Sequence, residues 1–197
     1  DHPKEKLSHY SKGTTDIEYN FPFGWSELWG IARRTDYDLK QHSKFSGKEL
    51  IFRDPQANEK IVSYVIEPSV GVDRLLMAIL VDSYHEDGKR IVLKLHPKLA
   101  PYKVAVFPLL ANKEELVKKA RGVYEVLRKK FRTAWDDRGN IGKRYYSQDE
   151  IGTPYCITFD FDSLKDSCVT VRDRDTMKQE RINISNLIQY IEDKLSE

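Results

Sequence analysis

At 197 residues, the chain can hold one large or two small domains, and 40% hydrophobic against 32% charged residues describes a globular protein with a densely charged surface. A net charge of +2 excludes nucleic-acid binding by bulk charge alone, so any such surface must come from local clustering. No stretch reaches the roughly 18–20 apolar residues of a membrane span, and Cys156 and Cys168 lack metal-ligand spacing, so the expectation is no membrane, no metal site and reduced thiols in a cytoplasmic protein.

The chain opens DHPKEK, without an initiator Met or the apolar core of a signal peptide, and reads as a fragment or a processed piece. Residues 1–20 are polar and aperiodic and read as irregular surface, with a short strand over residues 16–19. Next, FPFGWSELWGIA is dense in aromatics. Gly24 and Gly30 bracket a strand on which strict alternation puts Trp25, Glu27 and Trp29 on one face. Glu27 is then either an edge charge facing water or a carboxylate in an aromatic-walled pocket for an amine or hydroxyl. Thr35 or Asp36 can cap a helix that runs to about residue 45 and ends at Ser46-Gly47. A short strand near residues 50–52 and a turn at Asp54-Pro55 follow.

Ile61, Val62, Tyr64, Val65 and Ile66 are β-branched or aromatic and predict a strand, which Pro68 should end because it has no N–H to donate. Gly71 allows a turn, and Val72, Leu75, Leu76, Ile79 and Leu80 then recur at helical spacing. Met77, Ala78 and Val81 make the other face apolar too, which predicts a buried helix. Glu67, Ser69, Asp73 and Arg74 crowd where the strand passes to the helix, an N-terminus that favours anions. A charged helix cap is the plainer reading of the same residues. A turn at 85–90, a short strand at 91–95 and the paired prolines of HPKLAPY complete the first half; the prolines mark a linker at 97–102.

In the second half, 104–107 is an unbroken apolar run, as in a strand covered on both faces. Asn112 and Glu115 suggest a capping box for a helix with Leu116, Ala120, Tyr124, Leu127 and Phe131 on one stripe. A strand at 133–135 and a helix at 141–151 follow. Tyr155, Ile157, Phe159 and Phe161 alternate with Cys156, Thr158 and Asp160, the pattern of a half-buried strand. Strands at 168–171 and 178–182 and a helix capped by Ser185 close the chain, and this order argues for a three-layer α/β domain with a mixed sheet. The run Lys143-Arg144-Tyr145-Tyr146, with Asp149 and Glu150 beyond it, interleaves cations with aromatics, and Arg172 and Arg174 sit at a strand end. Cations can hold phosphates and aromatic or guanidinium planes can stack bases, although charge alternation more often marks a solvated helix face.

The string Glu67-Pro68-Ser69-Val70-Gly71-Val72-Asp73-Arg74 resembles motif 3 of class II aminoacyl-tRNA synthetases, in the form used by glycyl-tRNA synthetases, and GWSELWGIARRTDYDLKQH is similar to the segment before it. The runs APYKVAVFPL, IGKRYYSQDEIGTPYCITFDFD and VRDRDTMKQ resemble the anticodon-binding domain shared by class IIa synthetases. The resemblance covers nearly the whole chain. It implies the motif 3 half of an antiparallel-sheet catalytic domain over residues 1–96, the linker 97–102, and a three-layer anticodon-binding domain over 103–197. It further implies a glycine–tRNA ligase, with Glu27, Leu28, Gly71, Val72, Asp73 and Arg74 at ATP, and Glu67, Pro68, Ser69, Val70, Gly71 and Arg34 at glycine. Arg74 and Glu67 would act in catalysis. Lys143, Arg144, Tyr145, Tyr146, Asp149, Glu150, Arg172 and Arg174 would meet the tRNA anticodon. The implied partners are tRNA(Gly), glycine, ATP with Mg2+, and a second subunit in a homodimer. Motifs 1 and 2, the second of which carries the α-phosphate arginine, are not found, so these residues alone are expected to be inactive. The alternatives are a non-catalytic synthetase-like module that holds RNA or a protein, as in the accessory subunit of mitochondrial DNA polymerase, and a synthetase for another small amino acid. The intact Glu67, Ser69 and Arg74 disfavour the first and the Glu-Pro-Ser string the second.

Overall fold

The computed structural model describes residues 1–196 and divides into two compact units, Asp1–Val81 and a second that begins at Asp82. In the first, β1 (Thr14–Phe21) and β2 (Gly24–Thr35) form a long antiparallel hairpin. Then come α1 (Tyr37–Ser46), the two-stranded ladder of β3 (Phe52–Arg53) with β4 (Lys60–Ile61), β5 (Val65–Val70) and α2 (Val72–Ser83). The sheet has the order β1-β2-β5 and is antiparallel throughout. β1 is longer than its composition predicts because β2 pairs along all of it, from Thr14 opposite Ala32 to Phe21 opposite Gly24.

Several expectations fail in this unit. The strand expected over 61–66 falls instead over Val65–Val70, with residues 62–64 outside any strand. Pro68 lies inside β5, opposite Ile31, rather than ending a strand. The sheet order makes β5 an edge strand here, and an edge tolerates a residue that cannot donate to a ladder on its open side. The helix α2 forms where it was predicted, yet only Ala78 is buried; Val72 is 76% and Leu76 54% exposed. Its two apolar faces exceed what the three strands and the one short ladder of this unit can cover.

In the second unit, β6 (Tyr84–Asp87) and β7 (Arg90–Leu93) form a hairpin. After it come β8 (Val104–Pro108), α3 (Glu114–Leu127), β9 (Thr133–Trp135), α4 (Ile141–Ile151), β10 (Tyr155–Phe159), the short α5 (Ser163–Asp166), β11 (Cys168–Asp173), β12 (Gln179–Asn183) and α6 (Leu187–Ser196). The five-stranded sheet has the order β12-β11-β10-β8-β9, with β8 parallel to both β9 and β10 and the remaining pairs antiparallel. Steps to opposite sides of β8, each with a right-handed crossover, put the two connecting helices on opposite faces. Val104 and Val106 accordingly pack with Leu116, Ala120 and Leu127 of α3 and with Leu187 and Ile191 of α6. Ala105, Phe107 and Cys156 pack with Ile141 and Tyr145 of α4.

β10 is therefore central and buried along its whole length, not half-buried as its alternation suggests. Its polar face is satisfied: the Thr158 and Tyr145 hydroxyls lie 2.6 Å apart. The predicted cap at Asn112 does not form, since α3 starts after Lys113 and no side chain caps it. Asn183, not Ser185, accepts a backbone N–H at the turn that leads into α6. The units divide upstream of the expected linker at 97–102. The hairpin belongs to the second unit because Val92, Leu95 and Ala100 are buried and Arg90 is held by Asp149. Gly152, at φ +82°, packs so closely on the hairpin that a Cβ there would stand 2.9 Å from the Leu93 carbonyl oxygen.

Candidate functional site

The antiparallel sheet of the first unit carries one group of candidate residues. β1 pairs Glu18 with Glu27 but Ile17 with Trp29, leaving Leu28 as the extra residue of a β-bulge. Directly opposed residues share a face, and faces alternate along β1. Glu27 and Trp25 therefore lie on the face of Asp16, Gly30, Glu67 and Ser69, while Trp29 lies on the other with Ile17 and Val70. The expected wall of two tryptophans around Glu27 is thus corrected to one. The bulge, which no sequence period reveals, turns Glu27 onto the side of Glu67 and Ser69; unbroken alternation would have opposed them. Gly30 is the bare floor between these side chains, since a Cβ there would meet Glu27 Oε1 at 3.1 Å and Asp16 Oδ1 at 3.7 Å.

Arg34 joins the same face. Its Nη1 donates to Glu67 Oε2 at 2.6 Å, and its Nε and Nη2 donate to Asp38 at 2.6 and 2.8 Å. These bonds raise the guanidinium pKa above its ordinary value and hold the Asp38 carboxyl below the usual range. Arg74, in the first turn of α2, donates to Ser26 Oγ at 3.1 Å and to the Glu27 carbonyl. The structure thus brings Arg34, Glu67, Ser69 and Glu27 to one face and ties Arg74 to the same stretch of β2. Pro68 and Val70 point to the opposite face, opposed to Ile31 and Trp29. Gly71 supplies the carbonyl that accepts from Leu75 N–H at 2.8 Å, and exposed Val72 and Asp73 open the helix. Among the described residues, no three His, Cys, Asp or Glu side chains gather as a metal site.

The second group is split between the two ends of the sheet: Lys143, Arg144, Tyr145 and Tyr146 lie where β8 and β9 end and α4 begins, whereas Asp149, Arg172 and Arg174 lie at the other end, where α4 finishes and β8 and β10 start. Strand order reverses around β8 at the first of these ends, and sheets of this kind take ligands outside the carboxyl ends of such strands. The sequence candidates divide by burial. Arg144 is 2% exposed and donates to the carbonyls of Pro108, Asp137, Arg138 and Gly139. Asp149, fully buried, accepts from Arg172 at 2.8 and 3.0 Å and from Arg90 at 3.0 Å. Arg174 is buried against the Gly152 carbonyl and Asp175. The Tyr145 ring packs edge-on against Phe107 beneath Arg172, and burial raises its hydroxyl pKa.

These buried side chains are the framework of the unit, not free ligands, and the expectation that they read bases is corrected accordingly. Folding consumes their donors, because a buried guanidinium must have every N–H satisfied. Lys143, Glu150 and the 46%-exposed Tyr146 remain open on α4. Beside them is an open cleft of about 450 Å³ lined by Tyr102, Tyr124, Trp135, Arg138, Gln148 and Ile151. The Arg121 guanidinium stacks 3.8 Å over the neighbouring Trp135 ring. Sequence reasoning missed this cation–aromatic cluster because its members come from different elements and carry no local pattern.

Residues 103–194 match a family described as an anticodon binding domain. Over 99% of its length the chain is 58% identical to a glycine–tRNA ligase from Alkaliphilus oremlandii, and over 100% it is 55% identical to one from Staphylococcus haemolyticus. It spans 43% of the length of either relative. A crystal structure of prolyl-tRNA synthetase from Cryptosporidium parvum, complexed with halofuginone and AMPPNP, superposes with a TM-score of 0.68 at 22% identity. That superposition covers 98% of this chain and 39% of the other, and at such low identity it speaks for the fold alone.

Proposed function

We propose that this chain is part of a glycyl-tRNA synthetase and supplies part of the amino-acid and ATP site and the anticodon-binding surface of a glycine–tRNA ligase. On this reading the first unit, Asp1–Val81, completes the catalytic domain, and the second, which takes in the β6–β7 hairpin, holds tRNA(Gly). The observation that carries it is the ion pair of Arg34 with Glu67 beside Ser69, on the sheet face to which the bulge turns Glu27.

Glycine has no side chain to grip, so its charged ends must do the work. The Glu67 carboxylate and Ser69 hydroxyl accept from the ammonium, and Arg34 pairs with the carboxylate. Gly30 leaves the floor bare, and Trp25 crowds out larger side chains. Glu27 and the backbone of Leu28 meet ATP, as do the turn from Gly71 to Asp73 and Arg74, whose planar permanent charge suits phosphate oxygens or the adenine face. The reaction joins a glycine carboxylate oxygen to the α-phosphorus and releases pyrophosphate; positioning and charge stabilisation carry most of it. Mg2+ arriving with ATP would neutralise phosphate charge. Lys143, Tyr146 and Glu150 face the tRNA, with the Trp135–Arg138 cleft beside them. The full-length enzyme works as a homodimer in the cytoplasm, and this chain alone is inactive.

The test is ATP–pyrophosphate exchange by the full-length enzyme with glycine, alanine and serine, beside this chain alone. Glycine-dependent exchange by the long protein only is expected. Exchange by neither would favour a non-catalytic module, and exchange by the short chain would overturn its predicted inactivity. Lys143→Ala and Tyr146→Ala should weaken tRNA(Gly) binding without lowering the unfolding midpoint.

A further inference from the structure

We propose that Asp38 and Tyr10 are positioning residues for Arg34, fixing which edge of its guanidinium faces the amino-acid site. The inference rests on the function proposed above. A guanidinium has N–H groups on several edges and turns freely unless they are engaged. Asp38 takes the Nε and Nη2 edge in a two-point fork, leaving Nη1 directed at Glu67. Tyr10 closes the remaining direction: its ring lies 4.0 Å from the guanidinium carbon, and that ring is braced by His9 at 5.1 Å and Tyr37 at 6.3 Å between centroids. His9 Nε2 also lies 3.3 Å from the Tyr37 hydroxyl.

The backbone makes this arrangement possible. β2 and β5 slip register between Arg33 and Thr35, and Thr35 adopts φ +55°, a left-handed conformation costly for a β-branched residue. That turn ends β2 and starts α1, bringing Asp38 in the first turn of the helix back to Arg34. Strain of this kind persists only where the surroundings enforce it, and here the fork and the stacked ring do so. The closed Arg34–Glu67 pair is complementary to a small zwitterion. Glycine enters by giving its ammonium to Glu67 and its carboxylate to the Nη1 edge, while Asp38 and Tyr10 keep the guanidinium from following Glu67 as the pair opens.

The test uses the full-length enzyme and measures glycine-dependent ATP–pyrophosphate exchange, with KM for glycine and for ATP taken separately. Asp38→Asn and Tyr10→Leu should each raise KM for glycine, Asp38→Asn by roughly tenfold or more, with KM for ATP unchanged. Tyr10→Phe, which keeps the stacked ring, should behave as wild type. In an Arg34→Lys background, where no fork exists, Asp38→Asn should add nothing. Parallel rises in both KM values, a Tyr10→Phe as impaired as Tyr10→Leu, or full additivity with Arg34→Lys would overturn the inference and leave the proposed function standing. A wild-type enzyme without glycine-dependent exchange would overturn both.

Discussion

Asp149 has the largest gap between what its sequence context suggests and what its surroundings require. In the string SQDEIG it reads as an exposed acid on a polar helix, yet it is fully buried between the guanidinium groups of Arg90 and Arg172. Neither arginine is near it in sequence. Breaking such a pair strands charges in a dry environment, so Asp149→Ala should destabilise the chain by about 3–5 kcal/mol in urea unfolding followed by circular dichroism. A surface acid that served only to read bases would leave the midpoint unchanged. Arg144 follows the same logic with backbone carbonyls as partners, and that pattern of acceptors leaves no trace in the order of residues.

Helix starts and strand pairs show which local signals survive folding. Asn140 caps α4, its Oδ1 accepting from Lys143 N–H at 2.9 Å, whereas the similar signal at Asn112 is unused because α3 starts after Lys113. Asn140→Ala should therefore cost about 1 kcal/mol and Asn112→Ala less than about 0.5 kcal/mol in the same unfolding assay. At the open edge of the mixed sheet, Arg181 of β12 donates to both carboxylate oxygens of Asp166 at 2.9 and 2.7 Å and to Asp160 at 2.7 Å. Arg181 and the Cys168 N–H lower the Asp166 pKa; at Asp160 burial opposes, but Ser163 and Arg181 prevail and lower it too. A carboxyl whose folded pKa is depressed adds stability above its unfolded value and loses it as pH falls through the folded value. The Tm gap between wild type and Arg181→Ala should thus stay constant from about pH 7 to 5 and close below about pH 4.

Across the whole chain, the buried apolar side chains are unevenly shared. Among the described residues, Phe21 and Ala78 are the buried hydrophobic side chains of the first unit, whereas the second has a core running through β8, β10, β11, α3 and α6. Opening free energy follows buried contacts, so native-state hydrogen exchange should be slowest at the amides of β8, β10 and β11 and markedly faster at those of β1, β2 and β5. Equal protection in the two sheets would contradict this. The open faces of α2 and of β5 belong to the faster unit.

The residue order by itself determined most helix and strand types, the α2 and α4 spans, the mixed α/β class of the second half and the Glu67–Arg74 string, because period, caps and turn residues act over a few positions; β6 lies where a turn was expected, and α5 was not expected. Only the tertiary structure decided which face Glu27 occupies, since a bulge at Leu28 is a property of the pairing with β1 and not of β2 alone. It likewise decided that Pro68 lies within an edge strand and that β10 is covered on both sides, because edge and centre are positions in a sheet. Burial of Asp149, Arg172 and Arg144 was beyond local reading for the same reason: an ionised side chain can enter a core only when distant partners meet it there, and those partners are chosen by the fold.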